Sequence, residues 1–435
     1  MQLAQVFSSE RKNFVINFFI SLIPVAFILG NLSINFNILL IIIFSLIFYF
    51  KKIDFYNFIR DEKILVSFFI FVIFTGVWNH VETYSKIEND ENVVILKSFL
   101  FLKFLFLTII MTYLVREKIF NFKWFFLSCA FCSAFVSVDI IYQLLFSKDI
   151  FGIEPLTQRK LSGPFGDELI AGGYIQRFSI FAFFSIPLFL KIKQPYLSIF
   201  IGFLFVLFFL SIILSGNRMP LILFLLTILF ILIFEKNVRK YVIPIFLISF
   251  LLVGSSYIFN KQVKINFDHL TRNIKSIINV FLIDVGKKDQ ILTKVEVPLY
   301  YQEFRSFYET WKMNKFIGGG VKSFRENCKI REIKNTFERI NCNTHPHNYY
   351  LEIMTDLGIV GLIFILIIFI KVIIQSFLQN YKDTSYSNKA IVAILFLFIV
   401  EIIPIRSSGS FFTTGSITFI FLLFSILLGS LKKKI

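Results

Sequence analysis

A histidine pair and an asparagine stand just before a long apolar run, in the segment NTHPHNYYLEIMTDLGIVGLIF at residues 343–364. An imidazole titrates near pH 6.5, so His347 can accept a proton from a hydroxyl group at neutral pH. Asn348 is a suitable N-cap for the helix that the apolar run predicts, and Glu352 and Asp356 complement the positive end of that helix. A helix cap does not require a neighbouring imidazole, so His347 is a candidate general base.

A second interpretation makes the histidines metal ligands. The extended segment His345-Pro346-His347 can point both rings in one direction. A metal site needs at least a third ligand, for which His269 is the available histidine, and the spacing of these residues does not match a known metal-site pattern. We therefore expect no metal at this position.

The elements that position these residues are membrane helices. Apolar residues make up 56% of the 435 residues, and the run from Leu197 to Leu214 carries no charge. One crossing of a bilayer needs about 20 apolar residues. The sequence predicts an all-α integral membrane protein with about 12 transmembrane helices, centred near residues 22, 41, 71, 104, 133, 180, 205, 226, 249, 363, 396 and 420.

Positive charges predict the orientation of these helices. Lysine and arginine cluster in every second connection, at residues 11–12, 51–63, 116–118, 191–193, 236–240, 382–389 and 432–434, whereas the connection at 80–92 is acidic. Both termini are therefore expected in the cytoplasm, and the first apolar segment, which lacks a cleavage site, is expected to remain as an anchor. The net charge of +17 follows from this bias and from anionic lipid, so it does not require a nucleic-acid partner.

This topology predicts one large periplasmic loop, residues 261–347, between helices 9 and 10 of a single membrane domain that covers residues 1–435. Loops of this length usually carry function or their own structure. Two stretches in it, Asp268 to Leu282 and Leu299 to Met313, place apolar residues on one helical face, as interfacial amphipathic helices do. In the second stretch these residues are Phe304, Phe307, Tyr308 and Trp311.

The four cysteines divide by location. Cys129 and Cys132 lie within a predicted span and are expected to act as small apolar packing residues. Cys328 and Cys342 lie in the large loop, where an oxidising compartment favours a disulfide that contributes about 3 kcal/mol for a loop of this size. The alternative is two free thiols that are too far apart to bridge or lie in a compartment that is not oxidising enough.

The segment HNYYLEIMTDLGIVG resembles the signature of the O-antigen ligase and O-antigen polymerase family, with His347 and Asn348 followed by Gly358 and Gly361. Other parts of the chain from about residue 150 to 435 are similar to that family: the outer loop RKLSGPFGDELIAGGYI at Arg159 to Ile175, the arginine of SGNRMPL at 218, Arg305 with Tyr308 and Trp311, and the glycines at 318–320. Two departures are visible. Asp356 stands where the family often has glutamate, and a proline separates the two histidines, which leaves the role of His345 open.

The resemblance implies glycosyl transfer on the outer face of the bacterial inner membrane, without metal, nucleotide sugar or other cofactor. The donor would be a glycan on a polyprenyl diphosphate, and the acceptor a hydroxyl group of lipid A core, of another lipid-linked glycan, or of a protein side chain. Such a site needs a base for the acceptor hydroxyl, here His347, and cations for the diphosphate leaving group. We expect an O-antigen ligase with lipid A core as acceptor, and keep a polysaccharide polymerase or a protein O-oligosaccharyltransferase as the alternative.

Five arginines are candidates for binding the diphosphate, because a planar guanidinium donates two parallel hydrogen bonds and keeps its charge. They are Arg218, Arg305, Arg159, Arg177 and Arg406. Each also has a structural interpretation, such as an arginine that reaches lipid headgroups or solvent. For Arg177, which lies about two turns into a predicted span, that interpretation is an ion pair with Asp167 or Glu168. His345, Asn348, Asp356, Gly358 and Gly361 are expected to support the site.

Two other functional classes remain open from the sequence. A transporter or lipid flippase would also be polytopic with charges inside the membrane, although paired interrupted helices in corresponding halves are not evident. A membrane scaffold would account for the helices but not for the histidine and glycine spacing or for the outer arginines.

Overall fold

A computed structural model gives the fold of the chain. It describes residues 8–84, 92–156, 160–189, 196–234, 299–330, 346–380, 386–404 and 409–431, together with Cys342 and scattered positions between 247 and 275. The predicted helix from Asp268 to Leu282 falls almost entirely outside these residues, as do Arg159, His269, His345 and Arg406.

The described residues are mostly helical and contain no β-strand. The helices are α1 Ser9–Ser21, α2 Ile23–Leu29, α3 Asn31–Tyr49, α4 Phe55–Asp61, α5 Lys63–Tyr84, α6 Asn92–Leu100, α7 Lys103–Arg116, α8 Phe122–Phe146, α9 Ala171–Phe189, α10 Tyr196–Leu214, α11 Arg218–Phe234, α12 Leu299–Trp311, α13 Phe324–Ile330, α14 Tyr349–Asn380, α15 Tyr386–Glu401 and α16 Thr414–Ser430. A short 3-10 helix, Gly163–Phe165, precedes α9.

Within the described part of the chain, five helical stretches are long and apolar enough to cross a membrane: Ser9–Leu29, Asn31–Tyr49, Val94–Arg116, Phe122–Phe146 and Tyr349–Gln379. Shorter apolar helices lie at Lys63–Asn79, Ile199–Leu214, Arg218–Ile233, Ala390–Glu401 and Thr414–Ser430. A helix lies at or beside each predicted centre except the one near residue 249, which is outside the described residues. The all-helical membrane class is confirmed, whereas the count of twelve and the periplasmic position of the large loop stay predictions.

The centre of the bundle is α16. Every residue from Ser416 to Gly429 is buried, because α16 packs against α7 on one side and against α15 and α14 on others. A second packed group joins α8 to α9 and α10, with Phe125, Phe126 and Phe181 in mutual ring contact. Phenylalanine therefore serves here mainly as core filling.

The helix α12 differs from its prediction. We expected an interfacial helix with Tyr308 and Trp311 on its apolar face, but Tyr308 is 46% exposed. The buried face is instead partly polar and consists of Glu303, Ser306, Phe307 and Thr310. This face is buried because α12 packs against the first turns of α14, where the hydroxyl of Thr355 donates to the carbonyl of Phe307 at 3.3 Å.

Candidate active site

His347 lies at the entrance to α14 in a backbone conformation that favours few residue types. Its φ is 55°, in the left-handed region, where histidine is enriched among the residues other than glycine. The side chain of Asn348 then caps the helix, accepting hydrogen bonds from the backbone N–H groups of Tyr350 and Leu351, each at 3.1 Å. Asn348 therefore fixes the helix start directly after His347, and the half-buried imidazole lies at that junction.

The first turn of α14 also holds the connection between α15 and α16, which is the segment that contains Arg406. Asn348 donates from Nδ2 to the carbonyl of Pro404 at 2.9 Å, and the hydroxyl of Tyr350 donates to the carbonyl of Ile402. On the other side of the connection, the carboxylate of Glu352 accepts from the hydroxyl of Ser410 and the N–H of Phe411, both at 2.6 Å. Both described ends of this connection are thus attached beside His347.

Glu352 therefore has a role that differs from the predicted one. We expected its carboxylate to complement the positive end of α14, but it is 3% exposed and its bonds run to the α15–α16 connection. Hydrogen bonds to a charged carboxylate are stronger than those between neutral groups. The two short bonds from Ser410 and Phe411 therefore hold Glu352 more strongly than a charge–dipole contact with the helix end would.

A buried ion pair contacts Tyr349, the first residue of α14. Arg177 of α9 donates to Oε1 of Glu401 from Nη2 at 2.6 Å and from Nε at 3.1 Å, and its side chain is 13% exposed. Nη2 also lies 3.3 Å from the hydroxyl of Tyr349 and 3.1 Å from that of Ser416. The hydroxyl of Tyr349 in turn donates to Glu401 at 3.1 Å. The helices α9, α14, α15 and α16 therefore meet at one charge pair. The residue that α14 contributes, Tyr349, follows His347 by two positions.

The partner of Arg177 corrects one expectation. The predicted alternatives for its ion pair, Asp167 and Glu168, are wrong, since Glu401 takes that place. Arg177 lies far enough into α9 that its side chain enters the bundle, and α15 supplies the carboxylate there. Its role as a diphosphate ligand stays a prediction.

Gly358 interrupts α14 with φ 65° and ψ −174°, a conformation that is essentially restricted to glycine. The break releases backbone groups of α14, which pair with the turn after α12, residues 314–320, here called the glycine turn. Four backbone hydrogen bonds form this junction: Gly319 N–H to Thr355 O at 3.2 Å, Gly320 N–H to Asp356 O at 2.7 Å, Ile359 N–H to Lys315 O at 2.9 Å and Val360 N–H to Phe316 O at 3.3 Å.

The junction leaves no room for a side chain at Gly358 of α14 or at Gly318 of the glycine turn. A Cβ atom on Gly358 would lie 2.6 Å from the amide nitrogen of Ile317 and closer still to the carbonyl of Phe316. A Cβ atom on Gly318 would lie 2.5 Å from the carbonyl of Asp356. Gly361 lies one helical turn after Leu357, whose side chain would meet a Cβ there. Gly358 therefore serves the docking of the glycine turn on α14, whereas Gly361 leaves room for the side chain of Leu357 within α14.

Asp356 holds the chain that follows the glycine turn. Its carboxylate is 1% exposed and accepts from the N–H of Lys322 at 2.7 Å and from the hydroxyl of Ser323 at 3.5 Å. Lys322 has φ 58°, so this turn is tight. The expected charge–dipole role of Asp356 is replaced by this attachment, because its side chain faces the loop.

A disulfide attaches the chain before His347 to the same assembly. Cys328 of α13 and Cys342 are bonded, with their Cα atoms 5.7 Å apart. Cys328 packs in a small cluster with Phe307 and Phe324, whose rings are stacked, and Leu351 of α14 packs against this cluster. The cluster therefore joins α12, α13 and α14. Cys129 and Cys132 are free and buried, as expected for packing residues.

Arg218 and Arg305 are described residues with different surroundings. Arg218 is the first residue of α11 and is half-buried. Arg305 lies on the exposed side of α12, the helix that packs against α14. Arg159, Arg406 and His345 lie outside the described residues, so their place relative to His347 stays a prediction.

Sequence reasoning did not identify Tyr349, Glu401 and Ser416 as part of the site. A signal for Glu401 was present, because it ends a predicted membrane helix, where a carboxylate is costly unless it has a partner. Arg177 is likewise a charged residue within a predicted membrane helix, with the opposite charge. The two residues could therefore have been predicted to pair with each other.

A family model described as O-antigen ligase matches residues 203–366. No curated protein sequence matches the chain. The matched region begins within α10 and ends just after the break in α14, so it includes Arg218, Arg305 and His347. Arg177 and Glu401 lie outside it. Residues 203–366 are therefore similar to the O-antigen ligase family, and the signature from His347 to Gly361 lies within this matched region.

Proposed function

We propose that the protein transfers a glycan from a polyprenyl diphosphate to an acceptor hydroxyl group at the outer face of the inner membrane, with lipid A core as the acceptor. The family match supports glycosyl transfer of the ligase or polymerase type. The observation that carries the proposal is the position of His347, an imidazole in a left-handed conformation at the capped start of a membrane-length helix.

His347 acts as the general base. Left-handed residues other than glycine cost of order 1–3 kcal/mol and persist where the surroundings fix them, which is common at active sites. Here the surroundings are the Asn348 cap on one side and the disulfide at Cys342 on the other. An imidazole held in this way can meet an acceptor hydroxyl repeatedly in the same orientation, which is the main requirement for proton transfer.

The reaction follows from this assignment. A ring nitrogen of His347 takes the proton of the acceptor hydroxyl, and the acceptor oxygen forms a bond to the anomeric carbon of the donor glycan. The bond between that carbon and the diphosphate oxygen breaks, and its electron pair leaves with the polyprenyl diphosphate. The proton stays on His347 until water or the released diphosphate removes it. Atoms and charge balance without a nucleotide or a redox partner.

Cations stabilise the leaving diphosphate, whose negative charge grows as the bond breaks. Arg218 and Arg305 are assigned to this task, with Arg159 and Arg406 as further candidates. A half-buried guanidinium at the start of α11 suits the assignment because an anion is favoured at a helix N-terminus. Arg305 is carried by α12, which the glycine turn and the small cluster fix against α14.

In this proposal Arg177 has a positioning role in place of the diphosphate contact that the sequence predicted. Its Nε and Nη2 groups are engaged by Glu401, Tyr349 and Ser416, and its guanidinium lies over the ring of Phe419 at 5.5 Å. The pair therefore fixes the side chain of Tyr349, which follows Asn348 in the first turn of α14.

The proposal is tested by reconstituting the purified protein in vesicles with a polyprenyl-diphosphate-linked glycan and lipid A core. A glycosylated lipid A product with release of polyprenyl diphosphate is expected. Elongation of the lipid-linked glycan without any lipid A product would identify a polymerase instead. Movement of the donor across the bilayer with no covalent product would identify a transporter and contradict the proposal.

A further inference from the structure

A partly open cavity with a mixed polar and apolar lining lies far from the candidate active site. Its volume is about 420 Å³, within the usual range of roughly 300–1,000 Å³ for small-ligand pockets. It adjoins Lys118, which follows the end of α7. The glycine turn contacts Val94, near the start of the stretch Val94–Arg116. A helical stretch of this length spans about 35 Å, so the cavity and the active site lie at opposite ends of the bundle.

The side chain of Asn17 joins the segments that form the wall of the cavity, through hydrogen bonds to their backbone. Asn17 donates from Nδ2 to the carbonyls of Asn13 and Ile119, both at 2.8 Å. Its Oδ1 accepts from the N–H of Asn121 at 2.7 Å. Asn13 is further held by the hydroxyl of Tyr49. Three chain segments therefore shape one cavity before any ligand is present.

The charge of the cavity is positive. Lys118 and Lys123 both line it, and both side chains are exposed. Among the residues that the structure describes, neither ammonium group has a carboxylate within ion-pair distance. Lys118 has φ 57° and is the left-handed residue that ends α7. Two ammonium groups without a described carboxylate partner match the negative charge of a phosphate group.

The surroundings of the cavity indicate a lipid rather than a free ion. Phe14 and Phe18 lie next in sequence to the cavity residues Asn13 and Asn17, and they are 69% and 50% exposed. Trp124, beside Lys123, is 57% exposed, as is typical of the membrane interface. A headgroup in the cavity could therefore place its acyl chains along the apolar side of α1.

We propose that this cavity binds the phosphate of an anionic glycerophospholipid, in the leaflet on the side of the lysine-rich connections. Basic pockets between membrane helices on that side suit anionic headgroups. The site is independent of glycosyl transfer, since it lies at the other end of the bundle from His347.

The test measures the melting temperature of the purified protein during titration with dihexanoyl phosphatidylglycerol, dihexanoyl phosphatidylcholine or inorganic phosphate. Phosphatidylglycerol is expected to raise the melting temperature of the wild-type protein, and the other two probes are not. In Lys118→Gln/Lys123→Gln the half-maximal concentration should rise about 25-fold, since each lysine contributes about fivefold. Lys123→Gln alone, which leaves Lys118 intact, should raise it about fivefold.

Lys51→Gln/Lys52→Gln is the matched control, because it removes two charges at the same end of the bundle but outside the cavity lining. It should leave the titration unchanged. An equal loss in this control would show general attraction of anionic lipid and overturn the site. An equal response to inorganic phosphate would overturn the lipid assignment, and an equal response to phosphatidylcholine would overturn the role of charge.

Discussion

Gly358→Ala is expected to open the junction between α14 and the glycine turn. The new methyl group would stand 2.6 Å from the amide nitrogen of Ile317, against backbone that cannot rotate away. An alanine at φ 65° and ψ −174° also costs of order 1–3 kcal/mol. If the turn moves away, the bonds from Ile359 and Val360 are lost, at about 0.5–1.5 kcal/mol each. The expected loss of stability is therefore about 2–6 kcal/mol.

The assay compares melting temperature and transfer activity of the detergent-purified variant with those of the wild-type protein. Gly202→Ala is the control, because Gly202 lies within the helix α10 and a Cβ atom there meets nothing within 4 Å. Alanine favours a helix interior over glycine by up to about 1 kcal/mol, so this control should be unchanged or slightly more stable. Wild-type stability and activity in Gly358→Ala would refute the explanation given for the signature glycine.

Three further predictions concern charges and the disulfide. Arg218→Lys and Arg305→Lys keep the charge but lose the paired donors, so activity should fall further than protein abundance does; full activity in both would remove them from the site. Glu401→Gln leaves the charge of Arg177 buried without its partner and should lower stability by about 3–5 kcal/mol. In a double-mutant cycle, the double variant Arg177→Met/Glu401→Gln should recover much of that stability. If the stability losses of the two single variants simply add in the double variant, a direct pair is contradicted. Under oxidising conditions, Cys342→Ser should have a free energy of unfolding about 3 kcal/mol below that of the wild-type protein. After reduction of the wild-type disulfide, thermal melting should find the two proteins equally stable.

Much of the local structure followed from local sequence. The apolar runs predicted the helices, because each must satisfy its own backbone in lipid. Asn348 predicted the start of α14, since a cap acts on the next three residues. The glycines of the signature were expected to support the site, but the break at Gly358 and its contact with the glycine turn were not predicted.

Contacts between distant parts of the chain were not predictable in the same way. Glu401 meets Arg177 from a helix far along the chain, and no periodic pattern encodes that pairing. The same holds for Asp356, whose predicted interaction with its own helix is replaced by bonds to Lys322 and Ser323. Tyr308 was assigned to the apolar face of α12 by its chemistry, but packing against α14 selected the face with Phe307.

The central claim is that His347 is the general base, and replacing each histidine of the pair in turn tests it most directly. In vesicles with lipid-linked donor and acceptor, His347→Ala should lose transfer while the protein inserts and accumulates normally, because the acceptor proton then has no base. His345→Ala, the control two residues earlier, should retain measurable transfer. Near-normal turnover in His347→Ala, or loss of transfer in His345→Ala alone, would contradict the account.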